Sequence, residues 1–424
     1  MDIASLAFFR AGFGAVMCVA LVRFWLKGFF AAQLVQPQFH FTYEGLSFVR
    51  PLPAPWLELS LGVLALCAAC MSLGLFYRAS SVLFGLGFVY LELIERSTYL
   101  NHYYLISLLC FLLACLPAAD AFSLDALRKG RTAASIPAFC LWTLRAQVGV
   151  VYVFAGIAKL DADWLLHAQP LRIWLSAQRD FPLVGAWLSE PKVAFAFSWA
   201  GAAFDLFIVP ALLWRRTRAW AYAALVSFHA LTGLWFPIGM FPWIMMLAAT
   251  LFFAPDWPRR FLRNVFPPTR RDLPDVQARK LTWLKPLFAL HVLTQLAVPL
   301  YQHARGTDAA WSGRGFDFAW KVMLAERAGS VSFRVRDQQQ GSELRVLPQR
   351  FLTRSQTHAM AQDPELVRAF ARYLASEYQA QGHAVSVYAD AFLSLNGRPA
   401  QRVIDPEFDL AGSSSADFVL ARVY

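Results

Sequence analysis

Charge is what this 424-residue sequence has least of. Asp, Glu, Lys and Arg together make up 16% of it, against about 25% in an ordinary soluble domain. A single soluble domain is therefore excluded as the whole answer. Cysteine is also sparse. The six cysteines end at Cys140 and none follows in 141–424, so no disulfide framework is expected. Cys67 and Cys70 form a C-x-x-C, but inside an apolar run, where they read as small core residues rather than a redox or zinc site. H-E-x-x-H, paired-histidine boxes and Cys/His clusters are missing, so no metal is expected. G-x-S-x-G and a P-loop are missing too. No basic stripe carries interleaved aromatics, which leaves nucleic acid without support as a partner. There is no N-x-[ST] sequon.

Apolar residues are abundant: 58% of the chain, with 37 Phe and 15 Trp. That bulk excludes disorder. A bilayer is crossed by about 20 apolar residues. Candidate spans occupy 4–26, 56–76, 79–95, 100–117, 137–158, 193–214, 217–235, 237–254 and 284–301. The first lacks a basic start and a small-residue cleavage site, so it is expected to be retained. The stretch 255–285, rich in Arg and Pro, reads as a loop. From 302 onward no run of spanning length occurs. VSFRVR (331–336) and ELRVL (343–347) alternate like paired strands. DPELVRAFARYLASEYQ (363–379) reads as an amphipathic helix with Asp363 as N-cap and Pro364 in its first turn. The segment 384–405 reads as two strands around an Asn396-Gly397 turn.

The expected fold is an all-α polytopic membrane bundle of about nine transmembrane helices, residues 1–301, followed by a small α+β extracytoplasmic domain, residues 302–424. The net charge is +11. Its excess falls in loops that alternation places on the N-terminal side, among them Arg128, Lys129, Arg131, Arg215, Arg216 and the Arg-rich run from Arg259 to Lys280. The positive-inside rule then sets the N-terminus in the cytoplasm and 302–424 outside. In this reading the charge orients the chain in its lipid bilayer and recruits no partner.

Ionisable residues within or at the ends of spans are costly and therefore informative. They are Arg10, His102, Arg145, Lys159, Asp205 and His229. Arg10 is expected to snorkel at the cytoplasmic interface. Arg145 and Asp205 could pair between helices, and His229 could be a satisfied interhelical hydrogen-bonder. His102, Lys159 and His229 fall on one side by alternation alone. A desolvated lysine can act as a base. Asp161 and Asp163 would raise the Lys159 pKa if they lay close.

Four strings lift the sequence out of anonymity: YLNHYYLISLLCFLL (99–113), LRAQVGVVYVFAGIAKLDADWL (144–165), FHALTGLWFPIGMFPWIMML (228–247) and VYADAFLSLNGRPAQRVIDPEFDL (387–410). With WPRR (257–260) and WSGRGFDFAW (311–320), they resemble vitamin K-dependent gamma-glutamyl carboxylase and its bacterial homologues, whose membrane part is the HTTM domain. The resemblance runs from about Tyr77 to Leu410. It implies a reaction the residues alone do not reach: a lysine deprotonates vitamin K hydroquinone, O2 converts it to a strong base and then the epoxide, and the γ-carbon of a protein Glu captures CO2. The family lysine falls on Lys159, and its Asn-His pair on Asn101 and His102, the histidine assisting at the glutamate stage. Arg327 matches an arginine suited to a substrate carboxylate. His229, Arg145 and Asp205 complete the expected substrate-binding set. Thr232 stands where the family's FH-x-x-N pattern has Asn.

The implied function is a vitamin K-dependent gamma-glutamyl carboxylase using a reduced quinone, most plainly a menaquinol, with O2 and CO2. The implied partner is a Glu-containing secreted or periplasmic polypeptide. The implied location is a bacterial inner membrane, or the ER membrane of a eukaryote. Two alternatives remain open at this point. One is a quinol epoxidase of the same fold without Glu carboxylation. The other is a non-catalytic quinone-binding membrane protein or transporter, although no paired halves are visible.

Overall fold

A computed structural model describes residues 1–130, 132–236, 238–261, 281–304, 309–313 and 315–412. Each apolar run forms a helix: α1 (Ala4–Leu26), α2 (Ala54–Leu73), α3 (Tyr77–Ile94), α4 (Asn101–Cys115), α5 (Ala138–Ala158), α6 (Pro191–Leu213), α7 (Arg218–Trp235), α8 (Phe241–Ala249) and α9 (Leu284–Ala304). Among the described residues, six are long and apolar enough to cross a membrane: α1, α2, α3, α5, α6 and α9. α4 and α8 are shorter apolar helices, so six candidates are seen among the described residues and the expected count of nine is not confirmed. Most of the expected loop, 262–280, lies outside the described residues, as do Arg131 and the basic residues of that run. Its start, Trp257–Phe261, is a short helix.

α5 is the innermost long helix, with 72% of its span window buried, against 28% for α2 and 22% for α9. The outer helices turn leucines and aromatics such as Leu66, Leu86, Phe207 and Leu293 outward, as a lipid-facing surface requires. One end of the bundle gathers the N-terminus and the 74–76, 116–137 and 250–261 connections. There the Met1 amine donates to Ile136 O at 2.8 Å and Asp2 pairs with Arg259 at 2.9 Å. α2 ends at Gly74, whose φ of +64° puts it in the left-handed region. A side chain at Gly74 would strike Arg10 Nη1 and Ser123 Cβ. Arg10 is fully buried and donates to Met71 O at 3.1 Å and Phe122 O at 2.5 Å. It ties a carbonyl in the last turn of α2 to one in the 116–137 connection, rather than snorkelling to the interface as expected.

The opposite end carries the C-terminal domain. Its sheet has strand order β2-β1-β3-β4, all neighbours antiparallel: β1 (Arg327–Asp337), β2 (Glu343–Val346), β3 (Val385–Leu395) and β4 (Gln401–Arg402). Phe333 faces Val346 on one side and Ala389 on the other. Alternate residues of β3 are buried, from Val385 to Leu395, as a half-covered sheet demands. The turn at Asn396 (φ +52°) and Gly397 (φ +78°) has the expected left-handed pair.

Two helices cover the sheet. α10 (Arg354–Gln362) starts with a capping box between Thr353 and Gln356. α11 (Pro364–Ala380) has Asp363 as N-cap, accepting from the Glu365 amide at 2.8 Å. Such caps contribute about 1 kcal/mol each. Phe370 of α11 meets Phe333 edge-on at 5.1 Å.

This second core is not built from C-terminal residues alone. Phe41, from the α1–α2 connection, is buried within it, and Phe39 stacks on Tyr373 at 4.4 Å. Gln356 Nε2 donates to Phe39 O and to Glu95, both at 2.7 Å. Arg96 reaches Glu365 at 2.9 Å and Asp363 at 3.4 Å. A third cluster forms where short helices at Ala162–His167, Leu171–Ser176 and Gly185–Leu188 pack on α6 and the end of α7. The sequence had shown no trace of these short helices.

Candidate active site

At the domain end of the bundle, a cavity of about 290 Å³ opens between α4, α5, α6, α7 and the short helices. Its walls are mostly apolar and aromatic, including Phe197, Phe228, Trp235 and Phe241. Five of the seven expected site residues line it: Asn101, His102, Lys159, Asp205 and His229.

Lys159 caps the C-terminus of α5, and its side chain folds back over the last turn. Nζ donates to Ala155 O at 3.3 Å and to Asp205 Oδ2 at 2.7 Å. It also lies 5.1 Å from the centre of the Trp164 ring, a cation–π distance. Lys159 and Asp205 are each only 5% exposed. The pair depends on how closely α5 and α6 approach. A Cβ on Gly156 would sit 2.9 Å from the Leu206 backbone nitrogen, so only glycine allows this crossing.

Asp205 therefore pairs with Lys159 and not, as the sequence left open, with Arg145. Arg145 donates to Leu251 O at 2.8 Å and Phe253 O at 3.2 Å. It is not among the residues lining the cavity. The physical reason is register. Arg145 and Lys159 lie fourteen residues apart on α5, about 21 Å at helical rise, so one aspartate cannot serve both.

Asp161 and Asp163 do not compensate Lys159 by contact. Asp163 turns to the C-terminal domain, accepting from Arg398 at 2.7 Å and Asn396 at 2.8 Å. These hydrogen bonds, Arg398 first, hold its carboxyl below the usual range. Asp161 caps the next short helix.

His229 is buried on α7 and shares a hydrogen bond with the Tyr152 hydroxyl at 2.7 Å. Its Nδ1 is buried and has no hydrogen-bond partner among the described residues. Phe204 stacks on Phe228 at 4.1 Å and closes the wall behind this pair. His102, at the start of α4, touches only rings among the described residues: Tyr103 at 4.6 Å and Phe241 at 5.8 Å. Asn101 ties α4 to the C-terminal part through Lys321 O at 3.3 Å. Val322 and Met323 from that part complete the cavity wall.

Arg327 does not reach the cavity. It begins β1, donates to Ala310 O at 2.9 Å and covers the Phe316 ring at 4.5 Å. Burial lowers its pKa, opposed by Asp363 and Asp317. Arg314 of the WSGRGFDFAW string lies outside the described residues. Tyr152 is the polar cavity residue bonded to His229 that sequence reasoning missed. A tyrosine within the VVYVF run, seven residues before Lys159 and so on the same face, was the available signal.

The model of the HTTM domain matches residues 1–257. The model of the vitamin K-dependent gamma-carboxylase lumenal domain matches residues 280–421. No solved structure matches the chain.

Proposed function

The chain belongs to the HTTM-domain family of vitamin K-dependent gamma-carboxylases, an integral membrane protein with a lumenal domain, and on that premise we propose that it carboxylates protein glutamate at the expense of a reduced vitamin K. The observation that carries the reading is the buried Lys159–Asp205 pair at 2.7 Å in an apolar cavity.

The cavity's residues fit a quinol. Aromatic walls suit a flat apolar ring system, and polar residues line it as well: Lys159 and Asp205 on one wall, His229 on another. When bound, the reduced quinone supplies, with O2, a base far stronger than any side chain. The chain's own share is proton handling and exclusion of water. Asp205 Oδ2 accepts from Lys159 Nζ and holds the amine at the cavity wall, with the carboxylate beside it as an acceptor for a proton released there. Tyr152 holds the His229 ring in place through Nε2. The apolar wall keeps bulk water from the reacting atoms. His102 and Asn101 serve the glutamate side. Arg145 contributes by holding the α8 end of the bundle, not by touching substrate.

In this reading residues 1–301 form the catalytic membrane domain and 302–424 the extracytoplasmic domain, with the N-terminus cytoplasmic. The partner is a Glu-containing secreted or periplasmic polypeptide. The quinone is a menaquinol. The test supplies purified protein with vitamin K hydroquinone, O2, bicarbonate and a Glu-containing peptide. Both γ-carboxyglutamate and vitamin K epoxide are expected, and appearance of neither sinks the proposal. A second reading, quinol epoxidation alone, is favoured by one observation: Arg327, the expected carboxylate ligand, does not line the cavity. Epoxide without γ-carboxyglutamate would establish it.

A further inference from the structure

A second cavity, of about 490 Å³, lies beside the first at the same end of the bundle, between α1, α3, α4 and the connection after α1. Leu100, His102 and Ile238 line both cavities. His102 is thus a partition: one side of it belongs to the Lys159 chamber, the other to this one. The two chambers differ in chemistry. The first holds its charges in an internal pair. The second presents Arg23 and Lys27, one helical turn apart on α1, and Glu92 from α3. None of the three makes an ion pair among the described residues, and the contact found for Arg23 is with the Met240 sulfur at 3.9 Å. The chain after α1 also departs from α-geometry. It winds as a π-helix over Ala31–Val35, which brings Gln33 and Leu34 into the wall. Such turns are rare and occur mostly at functional sites.

We propose that this second chamber is the subsite for the acidic side chain of the peptide substrate, its carboxylate held by Arg23 and Lys27 while the γ-carbon is presented to the quinol chamber past His102. The proposal rests on the carboxylase reading above and adds the place of the second substrate. Arg23 and Lys27 give the lining a positive charge that a side-chain carboxylate neutralises. The arrangement also answers what Arg327 leaves open, because a carboxylate ligand is needed within reach of His102. Keeping the acid and the quinol on opposite sides of one histidine prevents the peptide from displacing the quinol.

The test uses the full-length protein in nanodiscs and a Glu-containing peptide. In Arg23→Gln/Lys27→Gln, the peptide KM for γ-carboxyglutamate formation is expected to rise about tenfold, the loss of a charge-assisted contact. In Arg23→Lys/Lys27→Arg, which keeps both charges, the peptide KM is expected to stay within twofold of the wild type. A KM that follows the charge and not the side-chain shape is not produced by misfolding. If the wild type forms neither epoxide nor γ-carboxyglutamate, the carboxylase reading fails first. If it forms both and the peptide KM moves less than twofold in the Gln variant, the subsite is wrong and the carboxylase reading stands. If the double variant instead loses copurifying anionic phospholipid while the peptide KM is unchanged, the chamber is a lipid site and the proposal is overturned.

Discussion

The two ends of the helix bundle treat buried charge in opposite ways. At the N-terminal end, Arg10 and Arg145 are spent on backbone carbonyls: Met71 and Phe122 for the first, Leu251 and Phe253 for the second. Those carbonyls lie at or beyond helix ends, where helical hydrogen bonds run out. The cations there bind the chain to itself. At the domain end, Lys159 and Asp205 are paired yet line a cavity, His229 keeps one nitrogen unpartnered, and His102 stands between two cavities. The same residue types thus hold helices together at one end and remain open to a ligand at the other. Burial alone does not distinguish them; what each charge faces does.

The strongest way to break this contrast is at Lys159. Lys159→Ala is expected to abolish epoxide and γ-carboxyglutamate, and to cost about 3–5 kcal/mol of stability by leaving Asp205 uncompensated. Lys159→Met with Asp205→Leu should recover most of that stability in thermal unfolding and none of the activity. Recovery of activity would remove the pair from the chemistry. Arg10→Met tests the other end. It should cost about 2–4 kcal/mol, from lost charge-assisted bonds and orphaned carbonyls, while the properly folded fraction keeps its KM values. A changed KM with unchanged stability would erase the distinction between the ends.

Tyr152→Phe sharpens the contrast within the cavity. Stability should fall by about 1 kcal/mol for one hydrogen bond, and kcat about tenfold as the His229 ring loses the bond that holds it. Equal changes in kcat and stability alone, with no shift in the pH profile, would make Tyr152 a packing residue. The smallest effect concerns the junction of bundle and domain. Burial first, then Asp363 and Glu365 against the opposing Arg96, pushes the Asp317 carboxyl up from 3.8 to about 6. Its folded state therefore holds a proton that the unfolded state releases. The contribution is fully present below pH about 4 and is lost as pH rises to about 6. The protection of amides across 354–365, corrected for the intrinsic exchange rate at each pH, should be greater at pH 5 than at pH 7.5, and Asp317→Asn should flatten the difference.

The fold was legible in the sequence wherever one local rule decided it. Apolar runs marked every long helix, Asp363 and Pro364 marked the start of α11, and Asn396-Gly397 marked the hairpin. Short helices between 162 and 188 were not legible, because four to six residues carry too little periodicity to register. The insertion of Phe39 and Phe41 into the C-terminal core was equally hidden, since nothing local says which core a loop phenylalanine joins. In the candidate site, alternation and the resemblance brought His102, Lys159 and His229 to one side. They did not choose Asp205's partner. That choice follows from the stagger of α5 on α6, set by contacts such as Gly156 against Leu206.

The sequence by itself determined that this chain enters a membrane, that a small α+β domain follows, and to which family it belongs. These are properties of composition, period and motif, each readable within a few dozen residues. Only the tertiary structure decided which buried charges pair, that Arg327 stands away from the cavity, and that His102 divides two chambers. Those outcomes depend on helix register and on the approach of segments hundreds of residues apart, and packing geometry of that kind is written nowhere in a local string.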